Sequence, residues 1–119
     1  MKTVYKLTDE NMQTYGKTQW KLGQWRETSG DGKLCGPGWL HCYGSPLLAV
    51  ALNPIHAGFR RPRLFEAEAD GQERHDNGLK SGYTRMRLLR EIPLPEITSE
   101  QLVRFAIYCA LEVCNDPDF

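Results

Sequence analysis

The stretch over residues 35–46 concentrates the residue types that could do chemistry. Its twelve residues include two cysteines, a histidine, two aromatic residues and three glycines, and an apolar run follows directly. Thiolate and imidazole groups serve as metal ligands, nucleophiles or general bases, and glycines let a backbone approach a ligand closely. If the chain carries a chemical site, we expect it here.

A zinc site is the first possibility, with Cys35, His41, Cys42 and His56 as ligands. Structural zinc sites usually pair ligands about two to four residues apart, whereas Cys35 and His41 are six positions apart. His41 and Cys42 are adjacent on a predicted strand, so their side chains point to opposite faces, which also argues against a catalytic pair. The spacing favours free cysteines that pack as small apolar side chains, and it predicts neither a metal nor a cofactor.

His41 and Tyr43 form a second candidate site, because they share one face of that strand and precede a predicted helix N-terminus. Helix N-termini attract anions, so this is a platform for a phosphate or a nucleotide. The layout is similar to the nucleotide pocket of ADP-ribosyltransferase-like folds, which implies a glutamate on a later strand. Glu66 is the nominee, with Glu68 and Glu91 as alternatives. The competing interpretation is that His41 and Tyr43 pack within the fold.

A third possibility is a surface that binds a macromolecule. The chain has 15 basic and 15 acidic side chains, so its charge excludes a global attraction to nucleic acid or to an anionic membrane. Tight binding would need aromatic and arginine anchors on a local patch, which could contact a protein or a nucleic acid. The candidate anchors are Trp20, Trp25, Arg60, Arg61, Arg85 and Arg87. The alternative for each arginine is a solvated face of mixed charge.

Length and composition bound the class of protein. With 119 residues, of which 40% are apolar and 10% aromatic, the chain is expected to fold as a single domain over residues 1–119. Its longest apolar run is far shorter than the roughly 20 residues that cross a membrane, and no secretory signal is visible. Four cysteines without an export signal predict reduced thiols in the cytoplasm. Cys109 and Cys114 would face different sides of a predicted helix, so a bridge between them is not expected.

The strands that must position these groups follow from residue periodicity. Alternation of apolar and polar residues, with β-branched and aromatic types, predicts strands over 3–8, 19–26, 39–43, 63–69 and 83–92. Asp70 and Gly71 are predicted to form a turn that ends the fourth of these strands.

Two helices are predicted between and after the strands. Ser45 caps a short helix over 46–53, which Pro54 ends. Thr98 and Gln101 form a capping box, and the dense apolar residues that follow predict a long helix buried against the sheet. The predicted fold class is therefore α+β, with a small, mostly antiparallel sheet, a short middle helix and a long buried C-terminal helix.

Several short motifs resemble those of a known family. They are GWLHCYGSPL (38–47), PRLFEAE (62–68) followed by DG (70–71), GLKSG (78–82) and RFAIYCA (104–110). Together they are similar to a family of small uncharacterised proteins of bacteriophages, prophages and bacteria that shares a Gly-x-x-His-x-x-x-x-Pro core. The resemblance covers roughly residues 3–119. It implies a phage or mobile-element setting, without an activity or site residues.

That setting leads to two functional hypotheses. The first is a non-enzymatic protein that occludes a host protein or ribonucleoprotein complex, such as a CRISPR effector, in the manner of an anti-CRISPR. Its contacts would come from the aromatic and arginine anchors, and no membrane partner is expected. The runner-up is an ADP-ribosyltransferase-like or other nucleotide-binding enzyme centred on His41, Tyr43 and Glu66. It predicts a concave pocket at the start of the middle helix.

Overall fold

The computed structural model describes residues 1–56, 58–76, 80–96, 98–101, 103–104 and 107. One sheet contains five strands, and two further strands form a separate ribbon. The elements in chain order are β1 (Lys2–Thr8), β2 (Gln13–Thr14), a 3-10 helix (Tyr15–Lys17), β3 (Thr18–Gln19), β4 (Arg26–Glu27), β5 (Leu40–Cys42), α1 (Pro46–His56), β6 (Arg63–Asp76) and β7 (Lys80–Ile92).

Strands β6 and β7 form a long antiparallel pair at the centre of the sheet. Their alternating sequence places apolar side chains on the inner face, where Ala67 lies opposite Leu88 and Ala69 opposite Met86. On the outer face, glutamates of β6 and arginines of β7 form cross-strand ion pairs of 2.7 and 2.8 Å. Apolar contacts therefore hold this pair from inside, and an ion-pair ladder covers it outside.

The predicted turn at Asp70 and Gly71 is wrong. Strand β6 continues beyond these residues, and its register against β7 shifts between Asp70 and Glu73, as in a β-bulge. Gly71 has a φ of 81°, and a Cβ there would lie 2.2 Å from Thr84 Oγ1. That hydroxyl accepts a hydrogen bond of 2.9 Å from the Gln72 N–H. The left-handed glycine therefore bends a continuous strand and does not end it.

Strand β5 closes the sheet into a small barrel. It pairs with the start of β7, and Tyr43, directly after it, pairs with Tyr5 of β1 through two backbone hydrogen bonds of 2.9 Å. Since β1 also pairs with β6, the chain of pairing returns to its beginning. A continued β1–β5 ladder would set Leu7 opposite His41, but in the described chain it stops at Tyr5 and Tyr43. A gap is thereby left between β1 and β5.

The apolar core has one part inside the barrel and one part outside it. Inside, apolar side chains of the strands surround Trp20, which is 1% exposed. Outside, helix α1 packs against β1, with Leu52 in one cluster with Leu7. The Leu48 N–H donates a hydrogen bond of 3.1 Å to Ser45 Oγ, so the predicted N-cap of this helix is present.

The predicted α+β fold class is wrong, because the structure is mostly β-sheet and its helices are short. No long C-terminal helix occurs among the residues described. Positions 99–101, 103–104 and 107 are helical, but Val103 and Ile107 are 58% and 57% exposed and thus not buried against the sheet. The remainder of that predicted helix, including Cys109 and Cys114, lies outside the described residues.

The surfaces of the barrel explain this error. Strand side chains and Trp20 already fill the interior, and the ion-pair ladder covers the outer face of β6 and β7. A second buried helix would therefore find little apolar surface there to cover. The predicted capping box itself is present, since the Gln101 N–H donates to Thr98 Oγ1 at 3.2 Å and the Thr98 N–H donates to Gln101 Oε1 at 3.0 Å.

Two further predicted boundaries also differ from the structure. The predicted strand over 19–26 is a bend between β3 and β4, in which Gly23 has a φ of 76°. Helix α1 passes Pro54 and ends at His56. Gly58, with a φ of 68°, donates its N–H to the Asn53 carbonyl at 2.5 Å, so a glycine cap ends this helix.

Candidate functional site

A cleft of about 510 Å³ opens beside the gap between β1 and β5. Its walls come from β1, β4, β5 and α1, together with the loop before β5. We call it the Lys6 cleft, and the residues in its wall that bear on chemistry are Lys6, Trp20, Arg26, Thr28, His41 and Lys80.

Lys6 lies on the inward-facing side of β1 and is only 7% exposed. The even positions of this strand face the barrel interior, as the burial of Val4 and Thr8 shows. Lys6 Nζ donates a hydrogen bond of 2.5 Å to the His41 carbonyl, on which the Leu7 N–H would be expected if the β1–β5 ladder continued. The lysine side chain thus supplies a hydrogen bond to the edge of β5 where the backbone of β1 does not, at the place where the cleft opens.

The face of Trp20 lies against the same amine. Lys6 Nζ is 5.5 Å from the centroid of the Trp20 ring, and the Arg26 guanidinium is 5.6 Å from it. The indole N–H donates to Thr14 Oγ1 at 3.0 Å, which fixes the plane of the ring. Two cations therefore converge on one aromatic ring in the wall of the cleft.

Burial changes the proton affinity of Lys6 and Cys42 inside the barrel. Burial lowers the pKa of Lys6 to about 8; Cys42 opposes this shift and Lys80 adds to it. Burial raises the pKa of the Cys42 thiol to about 12. At neutral pH the thiol is therefore protonated, and the amine is the group with accessible acid–base chemistry.

The cleft carries an excess of positive charge. Lys6, Arg26 and Lys80 line it, and none of the three forms an ion pair with a carboxylate in the described part of the chain. Glu27 also lines the cleft, but Arg85 Nε lies 2.9 Å from its carboxylate, in an ion pair without a well-aligned hydrogen bond. The Thr28 hydroxyl is buried with no hydrogen-bond partner among the described groups. These groups can bind an anion and one further acceptor or donor.

The structure places His41 and Tyr43 in the wall of the cleft. The His41 ring Nε2 contacts the Leu34 carbonyl oxygen, and Tyr43 is 7% exposed in the cluster beneath α1. Both side chains therefore have packing or hydrogen-bonding roles within the fold. They also border a concave site at the start of the middle helix.

The predicted glutamates do not join these two residues. Tyr5 stands between Tyr43 and Glu66 in the register of the sheet, so two strand spacings, roughly 10 Å, separate the latter two. Glu66 pairs with Arg90 at 2.8 Å. The other nominees, Glu68 and Glu91, are also ion-paired, with arginines at 2.7 and 2.6 Å.

Three of the predicted binding anchors come together outside the barrel. The Trp25 ring is half-buried, with the Arg85 and Arg87 guanidinium groups 4.4 and 4.9 Å from its centroid. We call this group the Trp25 clamp. Arg87 also pairs with Glu68 and Arg85 with Glu27, so the clamp is not a surplus of positive charge.

The other three anchors lie elsewhere. Trp20 is buried inside the barrel, where it lines the cleft, so it is not an anchor on the outer surface. Arg60 and Arg61 are exposed in the segment before β6, where Arg61 is 3.7 Å from Glu10.

The proposed zinc ligands are not assembled in the part of the chain that the structure describes. Cys35 is exposed and Cys42 is buried, and both are free thiols. The described residues contain no group of three or more histidine, cysteine, aspartate or glutamate side chains that could hold a metal ion. The side chain of His56 lies outside the described part.

No helix among the described residues is long and apolar enough to cross a membrane.

Sequence reasoning missed Lys6, Arg26 and Lys80 as site residues. A signal for Lys6 was present, because this residue has the same strand parity as Val4 and Thr8, and an inward-facing lysine is unusual. Arg26 and Lys80 reach the cleft only through the long-range pairing of β4, β5 and β7, which no local pattern indicates.

Comparison with protein families gives one finding. Residues 2–100 match the model of a family described as a domain of unknown function, DUF7666. A comparison with curated proteins finds no match.

Proposed function

The chain belongs to the DUF7666 family, and we propose, from the geometry of its cleft, that it binds a small organic anion there. The observation that carries this proposal is the convergence of Lys6, Arg26 and Lys80 on one cleft without a neutralising carboxylate among the described residues. A bound phosphate or carboxylate would supply the missing negative charge. The ligand class includes the nucleotides that the sequence indicates for His41 and Tyr43.

The environment of the cations supports this ligand class. Lys6 is almost fully buried, so a negative charge beside it would act through a medium less polarisable than water. Trp20 and Tyr43 contribute aromatic surface to the wall of the cleft. Ligand sites of this kind combine a mostly apolar lining with a few placed polar groups. We also propose that this binding occurs in the cytoplasm, where free thiols such as those of Cys35 and Cys42 stay reduced.

Calorimetry with three probes tests the proposal. We expect heat on titration with NAD, with adenosine monophosphate or with inorganic phosphate. Lys6→Met and Arg26→Met should each weaken that binding about tenfold, the effect of one lost charged hydrogen bond. Lys21→Met, at an exposed lysine outside the cleft, is the matched control and should bind as the wild type does. Absence of heat with all three probes at millimolar concentration would overturn the proposal.

The Trp25 clamp favours a second candidate function, capture of the host macromolecule that the sequence predicts. Two guanidinium groups hold the Trp25 ring in one orientation at the surface, and an aromatic residue with arginines is a common composition for binding hot spots. The charge of the clamp is balanced by Glu27 and Glu68, which favours a partner surface of mixed charge over a bare phosphate backbone.

Affinity capture from host extract tests this second function. Trp25→Ala should remove the captured partner, while Lys6→Met should retain it, since Lys6 faces the interior of the barrel and Trp25 lies outside it. Charge reversal at both Arg60 and Arg61 is compared with Trp25→Ala. These two arginines are predicted anchors that are exposed and lie in another segment, so the comparison shows which anchors the partner contacts. The effect of the charge reversal on the melting temperature should be small. Capture by Trp25→Ala equal to that of the wild type would count against the clamp, and equal capture by the double variant would count against Arg60 and Arg61 as anchors.

A further inference from the structure

We propose that Lys6 captures the carbonyl group of an anionic aldehyde that enters the Lys6 cleft, forming an imine between its Nζ and the aldehyde carbon. The inference rests on the proposed function, because it specifies the ligand class of the same cleft.

The position of Lys6 suits a nucleophile. Lys6 lines the cleft, and its Nζ is held by one hydrogen bond to the His41 carbonyl and by the face of Trp20. A neutral amine has two N–H groups and one lone pair. With one N–H bound to His41, the lone pair stays available to a ligand in the cleft. No described carboxylate lies in ion-pair contact with it, so the charged form gains no ion pair, and burial outweighs the support that Cys42 and the face of Trp20 give to the charge.

The proton affinity of Lys6 agrees with this position. Only the unprotonated amine attacks a carbonyl carbon. Burial, assisted by Lys80, lowers the pKa of Lys6 to about 8 from 10.5. At pH 7 the neutral fraction is then about 300-fold larger than at the unshifted pKa.

The step balances without a further reactant. The Nζ lone pair forms a bond to the aldehyde carbon, and the electrons of the C=O π bond move to oxygen. Protons transfer from nitrogen to that oxygen, and the C–O bond breaks to release water. The product is a C=N bond to Lys6, and neither an oxidant nor a reductant is consumed. Arg26 and Lys80 are placed to hold the anionic group of the same molecule.

Two thiols and the Lys80 amine, which also lines the cleft, are the possible rival nucleophiles, and a Lys80 adduct is told apart from a Lys6 adduct by the labelled peptide. Cys42 is fully buried, and its raised pKa of about 12 keeps it protonated. Cys35 is exposed and lines the cleft, so it can add to an aldehyde to give a hemithioacetal. That adduct reverses, whereas borohydride reduces an imine to a stable secondary amine. Reductive trapping therefore records the lysine adduct and not the thiol adduct.

Pyridoxal 5′-phosphate is a suitable probe, and pyridoxal, which lacks the phosphate group, is its matched control. The full chain is incubated with a substoichiometric amount of either aldehyde, reduced with borohydride and analysed by peptide mass spectrometry. We expect Lys6 to be labelled about tenfold more than any other lysine, and about tenfold more by the phosphorylated aldehyde than by pyridoxal. Labelling of Lys6 should rise between pH 7 and pH 9, as the amine deprotonates. Cys35→Ser should label as the wild type does.

Lys6→Arg and Lys6→Met remove the adduct if the proposal holds, and Lys21→Met leaves it unchanged. Labelling spread over surface lysines according to their exposure would overturn the proposal, and so would equal total labelling of wild type and Lys6→Arg. The wild-type pH profile and peptide map need no variant, so a misfolded variant does not obscure the result.

Failure of this step can be told apart from failure of the proposed function. Inorganic phosphate binding with no Lys6 adduct would leave the anion site standing and remove the imine. A Lys6 adduct that forms equally with pyridoxal and its phosphate would keep the reactive amine and remove the anion site. Absence of both binding and adduct would remove both.

Discussion

At the residue scale, Lys6 places a functional group where it weakens the fold. A lysine ammonium that is 7% exposed has lost most of its hydration, and one hydrogen bond to the His41 carbonyl replaces only part of it. The lowered pKa of about 8 expresses the same penalty, since a charged amine is disfavoured inside the barrel. A residue that served packing alone would be apolar at this position. Val4, two residues earlier on the same inward-facing side of β1, is such a residue.

Lys6→Met should therefore stabilise the protein while it weakens ligand binding. At pH 7 the shift of the Lys6 pKa from 10.5 to about 8 corresponds to a burial penalty of about 3 kcal/mol, which Lys6→Met removes. The variant also loses the hydrogen bond to the His41 carbonyl, which reduces the gain in stability by about 1 kcal/mol. We expect the free energy of unfolding to increase by about 2 kcal/mol, measured by urea denaturation. Lys21→Met, at an exposed site, should change it by less than about 0.5 kcal/mol. A clear destabilisation by Lys6→Met would show that the amine contributes to packing.

At the scale of elements, the sequence predicts local features well where one short motif determines them. The N-cap at Ser45 and the capping box of Thr98 and Gln101 are both present, because each needs only residues within one helical turn. The strand core around 63–69 is present for the same reason, since alternation of charged and apolar residues sets which face is buried.

Elements whose ends depend on distant contacts are predicted poorly. Asp70 and Gly71 have the composition of a turn, yet Thr84 of the opposite strand supplies the hydrogen bond that lets β6 continue through a bulge. The apolar residues around Val103 are typical of a buried helix, but burial also requires a free apolar surface, and the ladder between β6 and β7 offers ion pairs instead.

The candidate site shows the same division. The sequence draws attention to His41 and Tyr43, and both border the cleft. Its cations come from β1, β4 and β7, which are far apart in the chain and meet only because the sheet closes through Tyr5 and Tyr43. A site built by barrel closure leaves almost no trace in local spacing, apart from the parity of Lys6.

At the scale of the whole molecule, the barrel links its interior groups through pH. Lys6 has a folded pKa of about 8, below its unfolded value of 10.5, so the unfolded chain binds more protons between these values and stability rises with pH. Cys42 and Tyr83 have pKa values raised by burial to about 12, above 9.0 and 10.0, so the folded chain binds more protons there and stability falls with pH. The two effects overlap above about pH 8.

Stability of the wild type should therefore rise by about 1 kcal/mol from pH 7 to pH 9, change little up to pH 10 and fall beyond it. Lys6 accounts for that rise, and Cys42 partly offsets it between pH 8 and pH 9, because its thiol already begins to ionise there in the unfolded chain. Lys6→Met should accordingly lose the rise and begin to decline between pH 8 and pH 9. Urea denaturation at pH 7, 8, 9 and 10 measures both profiles. Parallel profiles for wild type and variant would mean that the amine titrates alike in folded and unfolded chains, and the buried position of Lys6 in the barrel would then be wrong.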